Sequence, residues 1–137
     1  ANTWSSTHDT DAFLEDVLKS AASEFSLVYQ PEIVRRKMYL SELNVKSSKE
    51  PVGVNPMLAQ FANMIHERLP AKVKLPYEFA GVAFFPIQGI APVSISPFRL
   101  ERKLNTAPEE HKYYTTAPLH TDDHLELLKW FEEHLMS

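Results

Sequence analysis

The chain has 137 residues, 44% apolar and 23% charged, with a formal net charge of −4. That length suits a single domain, and the balance excludes global disorder, which needs low hydrophobicity and a large net charge. No apolar run approaches the ~20 residues of a membrane-spanning helix, and a chain without cysteine has no disulfide, thiolate nucleophile or Cys-based metal site.

Residues 1–8 are polar and aperiodic apart from Trp4, and the sequence suggests a tail there that precedes one domain over 9–137. Trp4 carries enough apolar surface to dock on that domain. Nothing in the opening residues combines a basic start with an apolar stretch, so a cytoplasmic location is the default expectation. Asp9 and Thr10 suit an N-cap, and Leu14, Val17, Leu18, Ala21, Ala22, Phe25 and Val28 recur at helical spacing. The spacing predicts a first helix over about 10–29, stopped by Pro31.

Residues 31–43 are ambiguous. Ile33 and Val34 favour a strand, whereas Pro31 fits a first helical turn and Glu32 to Met38 favour a helix; the balance tilts to a helix. Lys46 to Val54 reads as a loop. Asn55-Pro56 is a sharp start signal, followed by the stripe Leu58, Phe61, Ala62, Ile65 and Leu69 up to Pro70.

Beyond Pro70 the character changes. Val73 and Leu75 alternate with Lys72 and Lys74, as in a half-buried strand. The apolar run Phe79 to Ile87 reads as a central strand covered on both faces. Val93 and Ile95 alternate with Ser94 and Ser96, and Phe98 to Leu104 continues or bends that strand at Pro97. His111 to Thr116 is rich in strand formers. Recurrent prolines confine these strands to short lengths, because proline cannot donate to a ladder. Last, Thr121 can cap a helix with Asp122 and Asp123 in its first turn. Its face of Leu125, Leu127, Leu128, Trp130, Phe131 and Leu135 would bury against a sheet for about 1.5–3 kcal/mol per large side chain. The expected fold is α+β: N-terminal helices, a small antiparallel sheet of about four short strands, and a C-terminal helix packed on the sheet.

Chemistry has no obvious home in this pattern. Gly53, Gly81 and Gly89 stand too far apart for a phosphate-binding loop. His120 and His124 share a face only if the helix already includes His120. The residue after His120 is Thr, not the Glu of a zinc-protease motif, so no metal is expected and the pair is weighed only as a weak ligand candidate. If Thr121 starts the helix, both histidines read as surface residues. Tyr77, His111, Tyr113, Tyr114 and His120 are the candidates to line a ligand pocket between sheet and helices, although strand aromatics more often fill cores. His66 reads as a boundary residue on the wet side of its helix. Glu78 and Glu101, the acids flanked by apolar residues, read as edge or loop positions rather than a glycosidase pair. No Gly-x-Ser-x-Gly elbow accompanies the serines. No cofactor is implied.

Charge is unevenly spread, with net −4 over residues 1–29, +5 over 30–104 and −5 over 105–137. Arg35, Arg36, Lys37, Lys72, Lys74, Arg99, Arg102 and Lys103 form a basic middle, but a pI near 5.9 argues against nucleic acid. A dipolar surface instead suits contact with another protein or a second copy. The expected function is therefore a small non-catalytic soluble domain acting through protein–protein contact, as a homodimer or an accessory subunit. The alternative is a small-molecule binder or simple enzyme with a pocket between sheet and helices.

Overall fold

A computed structural model describes residues 6–49, 55–73, 75–87 and 95–136. Its elements are α1 (Thr7–Glu24), β1 (Ser41–Lys46), α2 (Pro56–Arg68), β2 (Gly81–Phe84), β3 (Phe98–Arg102), β4 (Lys112–Ala117) and α3 (Thr121–Leu135). All four strands join one antiparallel sheet in the order β1-β4-β3-β2. The fold is α+β, as the sequence suggests. β2, β3 and β4 form a meander, and β1 crosses from far upstream to cover the other side of β4.

Side-chain alternation sets the layers. Ser41, Leu43 and Val45 of β1 share a face with Ala117, Thr115 and Tyr113 of β4, and with Phe98 and Leu100 of β3. α3 closes this face: Leu100, Tyr113, Phe131 and Met136 are buried together, with Val45, Val82, Phe98, Leu128 and Leu135 packed around them. The opposite face carries Glu42, Asn44, Lys46, Arg99, Glu101, Lys112, Tyr114 and Thr116. Trp130, Leu125 and Leu127, part of the broad apolar face read from the sequence, point away from the core and stay exposed.

α2 spans the residues its Asn-Pro signal predicts, with the Asn55 side chain accepting the Met57 N–H at 2.9 Å. α1 differs at both ends. It begins at Thr7 because Ser6 and Asp9 cap each other's backbone reciprocally. It ends at Glu24, well before Pro31, because Ser26 turns left-handed at φ 52°. The Leu27 N–H then reaches the Ala22 carbonyl at 2.7 Å and the Ser26 N–H that of Ser23, so the last carbonyls are closed off by a Schellman turn. The tail assignment of 1–8 falls partly outside the described residues, as does Trp4; Thr7 and His8 belong to the helix.

Several sequence expectations are corrected. Residues 31–43 are not a helix: Pro31 opens only one 3-10 turn to Ile33, since Gln30 supplies no side-chain cap, and the chain then runs extended into β1. Around Val73 and Leu75 a 3-10 turn over Ala71–Val73 replaces the expected strand, and Lys74 lies outside the described residues. Within Phe79–Ile87 only Gly81–Phe84 is strand, and it is the short edge strand rather than a central one. Gly81 is required there by proximity, because a Cβ would stand 2.1 Å from the Leu100 carbonyl oxygen. The alternation at 93–96 falls partly outside the described residues, and Ile95 and Ser96 are not in a strand.

Candidate functional site

α3 decides the fate of the two histidines. Its N-cap is His120 and its first residue Thr121, so the His120 carbonyl takes the His124 N–H at 2.9 Å while the rings part. His124 is not the surface residue the sequence suggested. It is fully buried on the sheet, edge-on to Phe98, with Ser41 Oγ 2.6 Å from Nδ1 and Thr115 Oγ1 2.9 Å from Nε2. The Thr115 hydroxyl donates to the Arg99 carbonyl at 2.7 Å. Its oxygen therefore accepts from Nε2–H, which leaves Nδ1 bare to accept the Ser41 hydroxyl. Both nitrogens are satisfied in the neutral ring, and burial pushes the pKa down to about 4. Ser41 and His124 superficially match a nucleophile and base. With Ser41 itself buried and no carboxylate among the hydrogen-bond partners of His124, the trio locks α3 onto β1 and β4 rather than meeting a substrate.

His120 turns the other way, toward a junction where α1 and α3 begin side by side. The Thr7 N–H donates to Thr121 Oγ1 at 3.0 Å, and the Thr121 N–H to Thr7 Oγ1 at 2.9 Å. Each helix thus uses the other's hydroxyl as an N-cap. Two positive dipole ends meet here, and Asp9, Asp122 and Asp123 supply compensating charge. His120 Nδ1 lies 3.1 Å from Thr7 Oγ1, and its ring packs on Tyr39 with centroids 3.7 Å apart. His8 Nε2 reaches Asp122 at 2.8 Å. Asp11 accepts from Tyr39 Oη at 2.9 Å and Lys37 Nζ at 3.1 Å. Burial raises the pKa of Asp11, but the Lys37 and Tyr39 hydrogen bonds outweigh it and hold the carboxyl below its usual value. Replacing Thr7 or Thr121 by Val is expected to orphan the facing N–H and cost about 1–2 kcal/mol. Urea denaturation measures this, and an unchanged midpoint in both variants removes the reciprocal cap from the account.

Beside this junction lies a groove of about 340 Å³ lined by Arg36, Lys37, Met38, Tyr39, Leu40, Ile95, Ser96 and Pro118. None of the pocket candidates read from the sequence lines it. Tyr77 is exposed ahead of β2, Tyr113 is buried in the core, and Tyr114 stands on the opposite face of β4. The Tyr114 pKa is raised by burial and by its hydrogen bond to Glu42. His111 serves as a backbone joint, left-handed at φ 47°, its carbonyl taking the Ser47 N–H at 3.1 Å. Among the described residues no three His, Asp or Glu side chains converge as a metal site. His66 donates from Nδ1 to the Leu75 carbonyl at 2.7 Å, which pins the chain after α2. Of the basic residues, Arg36 and Lys37 line the groove, Arg99 and Arg102 leave opposite faces of β3, Arg102 pairs with Glu78, and Lys74 lies outside the described residues.

What remains unsatisfied is surface. On α1, Leu14, Val17 and Leu18 keep 38%, 45% and 39% of their area in water, and Phe25, Leu27 and Val28 just beyond are more exposed still. Met57, Phe61 and Met64 of α2 are likewise exposed. Comparison with protein families, with curated proteins and with solved structures finds no match to this chain. No helix among the described residues is long and apolar enough to cross a membrane.

Proposed function

We propose that this chain is a non-catalytic domain that acts through protein–protein contact. One observation carries the reading: the apolar stripe of α1, built at the spacing that normally faces a core, keeps 38–45% of the area of Leu14, Val17 and Leu18 in water. Contiguous exposed apolar surface of this kind marks contact sites. The polar clusters support the same view. The most reactive-looking pair, Ser41 and His124, is sealed, and the junction side chains are engaged in capping and ion pairing. The competing reading, a small-molecule binder, draws on the groove at Arg36 and Ser96, which lies apart from the filled contact between sheet and α3.

The test substitutes the stripe without touching the core. The double variant Leu14→Glu, Leu18→Glu is expected to keep its circular dichroism while losing self-association in light scattering, or loss of a co-purifying partner. An unchanged assembly state and partner set in a folded variant overturns the reading.

A further inference from the structure

The outer edge of β1 carries its own complement. No strand lies beyond β1 among the described residues. The Ser47 N–H donates to the His111 carbonyl at 3.1 Å, continuing the β1–β4 register. Ladder bonding alternates along a strand, so Ser41, Leu43, Val45 and Ser47 point their backbone groups toward β4. Glu42, Asn44 and Lys46 point theirs outward. Their side chains are also exposed, on the sheet face that α3 does not cover.

We propose that β1 pairs antiparallel with β1 of a second copy, joining two sheets into one. This goes beyond the contact reading: it names a second copy as the partner and the β1 edge as the surface, through residues other than those of the α1 stripe. A two-fold axis through Asn44 places Asn44 opposite its own copy, Glu42 opposite the second copy's Lys46, and Lys46 opposite its Glu42. Two independent requirements meet in this register. The outward backbone groups of these residues face one another as hydrogen-bonded pairs, and unlike charges stand opposite one another. Sliding by two residues about the Glu42 or the Lys46 end leaves charges facing Asn44; sliding further sets Glu42 against Glu42 or Lys46 against Lys46. On the other face the half-buried Leu43 and Val45 meet the second copy's Val45 and Leu43, extending the apolar row. Lys46 is suited to an acidic partner, because across its own sheet it faces Lys112, which is paired with Glu110. Charges on an edge strand ordinarily discourage pairing. Here their order along the strand makes the edge selective for itself. The other edge, β2, is shorter, and Gly81 and Ala83 are the strand residues that point outward from its ladder with β3, so it offers no such complement.

Charge reversal tests the register. Sedimentation or light scattering of the full chain is expected to show a concentration-dependent dimer of the 15.7 kDa protomer. Glu42→Lys alone and Lys46→Glu alone each set like charges opposite one another twice, weakening dimerisation about thirty-fold. Mixing those two single variants restores it as a heterodimer, and the double variant Glu42→Lys, Lys46→Glu restores it as a homodimer. Asn44→Pro removes an outward N–H without taking a donor from the β4 ladder, and it is expected to give a folded monomer. Dimers indifferent to all these changes, or a wild type that stays monomeric at millimolar concentration, overturn the proposal. A dimer that survives Asn44→Pro but dissolves with Leu14→Glu, Leu18→Glu overturns β1 pairing while leaving the contact reading intact.

Discussion

Taking the protein from pH 7 to pH 4 is expected to remove about 3 kcal/mol of stability through His124 alone. The ring is buried neutral between Ser41 and Thr115 with its pKa pushed down to about 4, whereas the unfolded chain holds the same ring near 6.5. Between those values the unfolded state binds a proton that the folded state refuses, so stability falls as pH falls. Above about pH 6.5 both states are neutral and the contribution is flat; below about pH 4 both are charged and the loss is complete. Urea titrations at pH 7, 5.5 and 4.5 read the slope directly. In His124→Leu the slope should vanish from that window. The variant should also start lower at pH 7 by about 2–4 kcal/mol, because the Ser41 hydroxyl loses its short partner and the Thr115 oxygen a donor. Equal slopes in the two proteins would show that His124 is already protonated in the fold.

The largest loss from truncation is expected at Phe131→Ala, about 3–5 kcal/mol. Phe131 is the aromatic side chain that α3 sends into the cluster of Leu100, Tyr113 and Met136. That cluster is small, so little surrounding mass is present to collapse into the cavity. Since domains of this size hold only about 5–15 kcal/mol in total, the variant should sit close to its unfolding midpoint. Trp130, its immediate neighbour in sequence, provides the contrast. It is half in water and stacks on His134 at 4.5 Å between centroids, so Trp130→Ala should shift stability by less than about 1 kcal/mol. Thermal and urea melts of the two variants compare them, and similar losses would mean that α3 is rotated on the sheet.

The sequence read best where a local rule was sufficient. Asn55 and Pro56 dictate the start of α2 by capping chemistry within a few residues, and Pro70 bars its extension. Tyr113 to Thr116 are strand formers on their own account. Residues 31–43 failed because two local signals conflicted: Pro31 presets a helical turn, but Gln30 cannot cap it. The alternation of Ser41, Leu43 and Val45 with Glu42, Asn44 and Lys46 was visible only once β4 supplied a covered face. Phe79 to Ile87 failed differently, since apolar content does not reveal whether a strand has one neighbour or two. The His124 cluster was out of reach altogether. Ser41 and His124 are 83 positions apart, and nothing near either residue signals the other. The junction at Thr7 and Thr121, with a separation of 114, is hidden for the same reason.

The connectivity of the sheet bears on how the molecule assembles. β2, β3 and β4 are neighbours both in sequence and in the sheet, so a folding nucleus can grow among them through closures far shorter than the one β1 requires. β1 must be recruited from a position 76 residues before its Ala117 partner, and contacts of such sequence separation are entropically the slowest to form. Until it arrives, the outer flank of β4 remains an uncapped ladder, open to β1 of any neighbouring nascent chain. Dilute refolding therefore favours correct self-closure, and crowded refolding favours strand exchange.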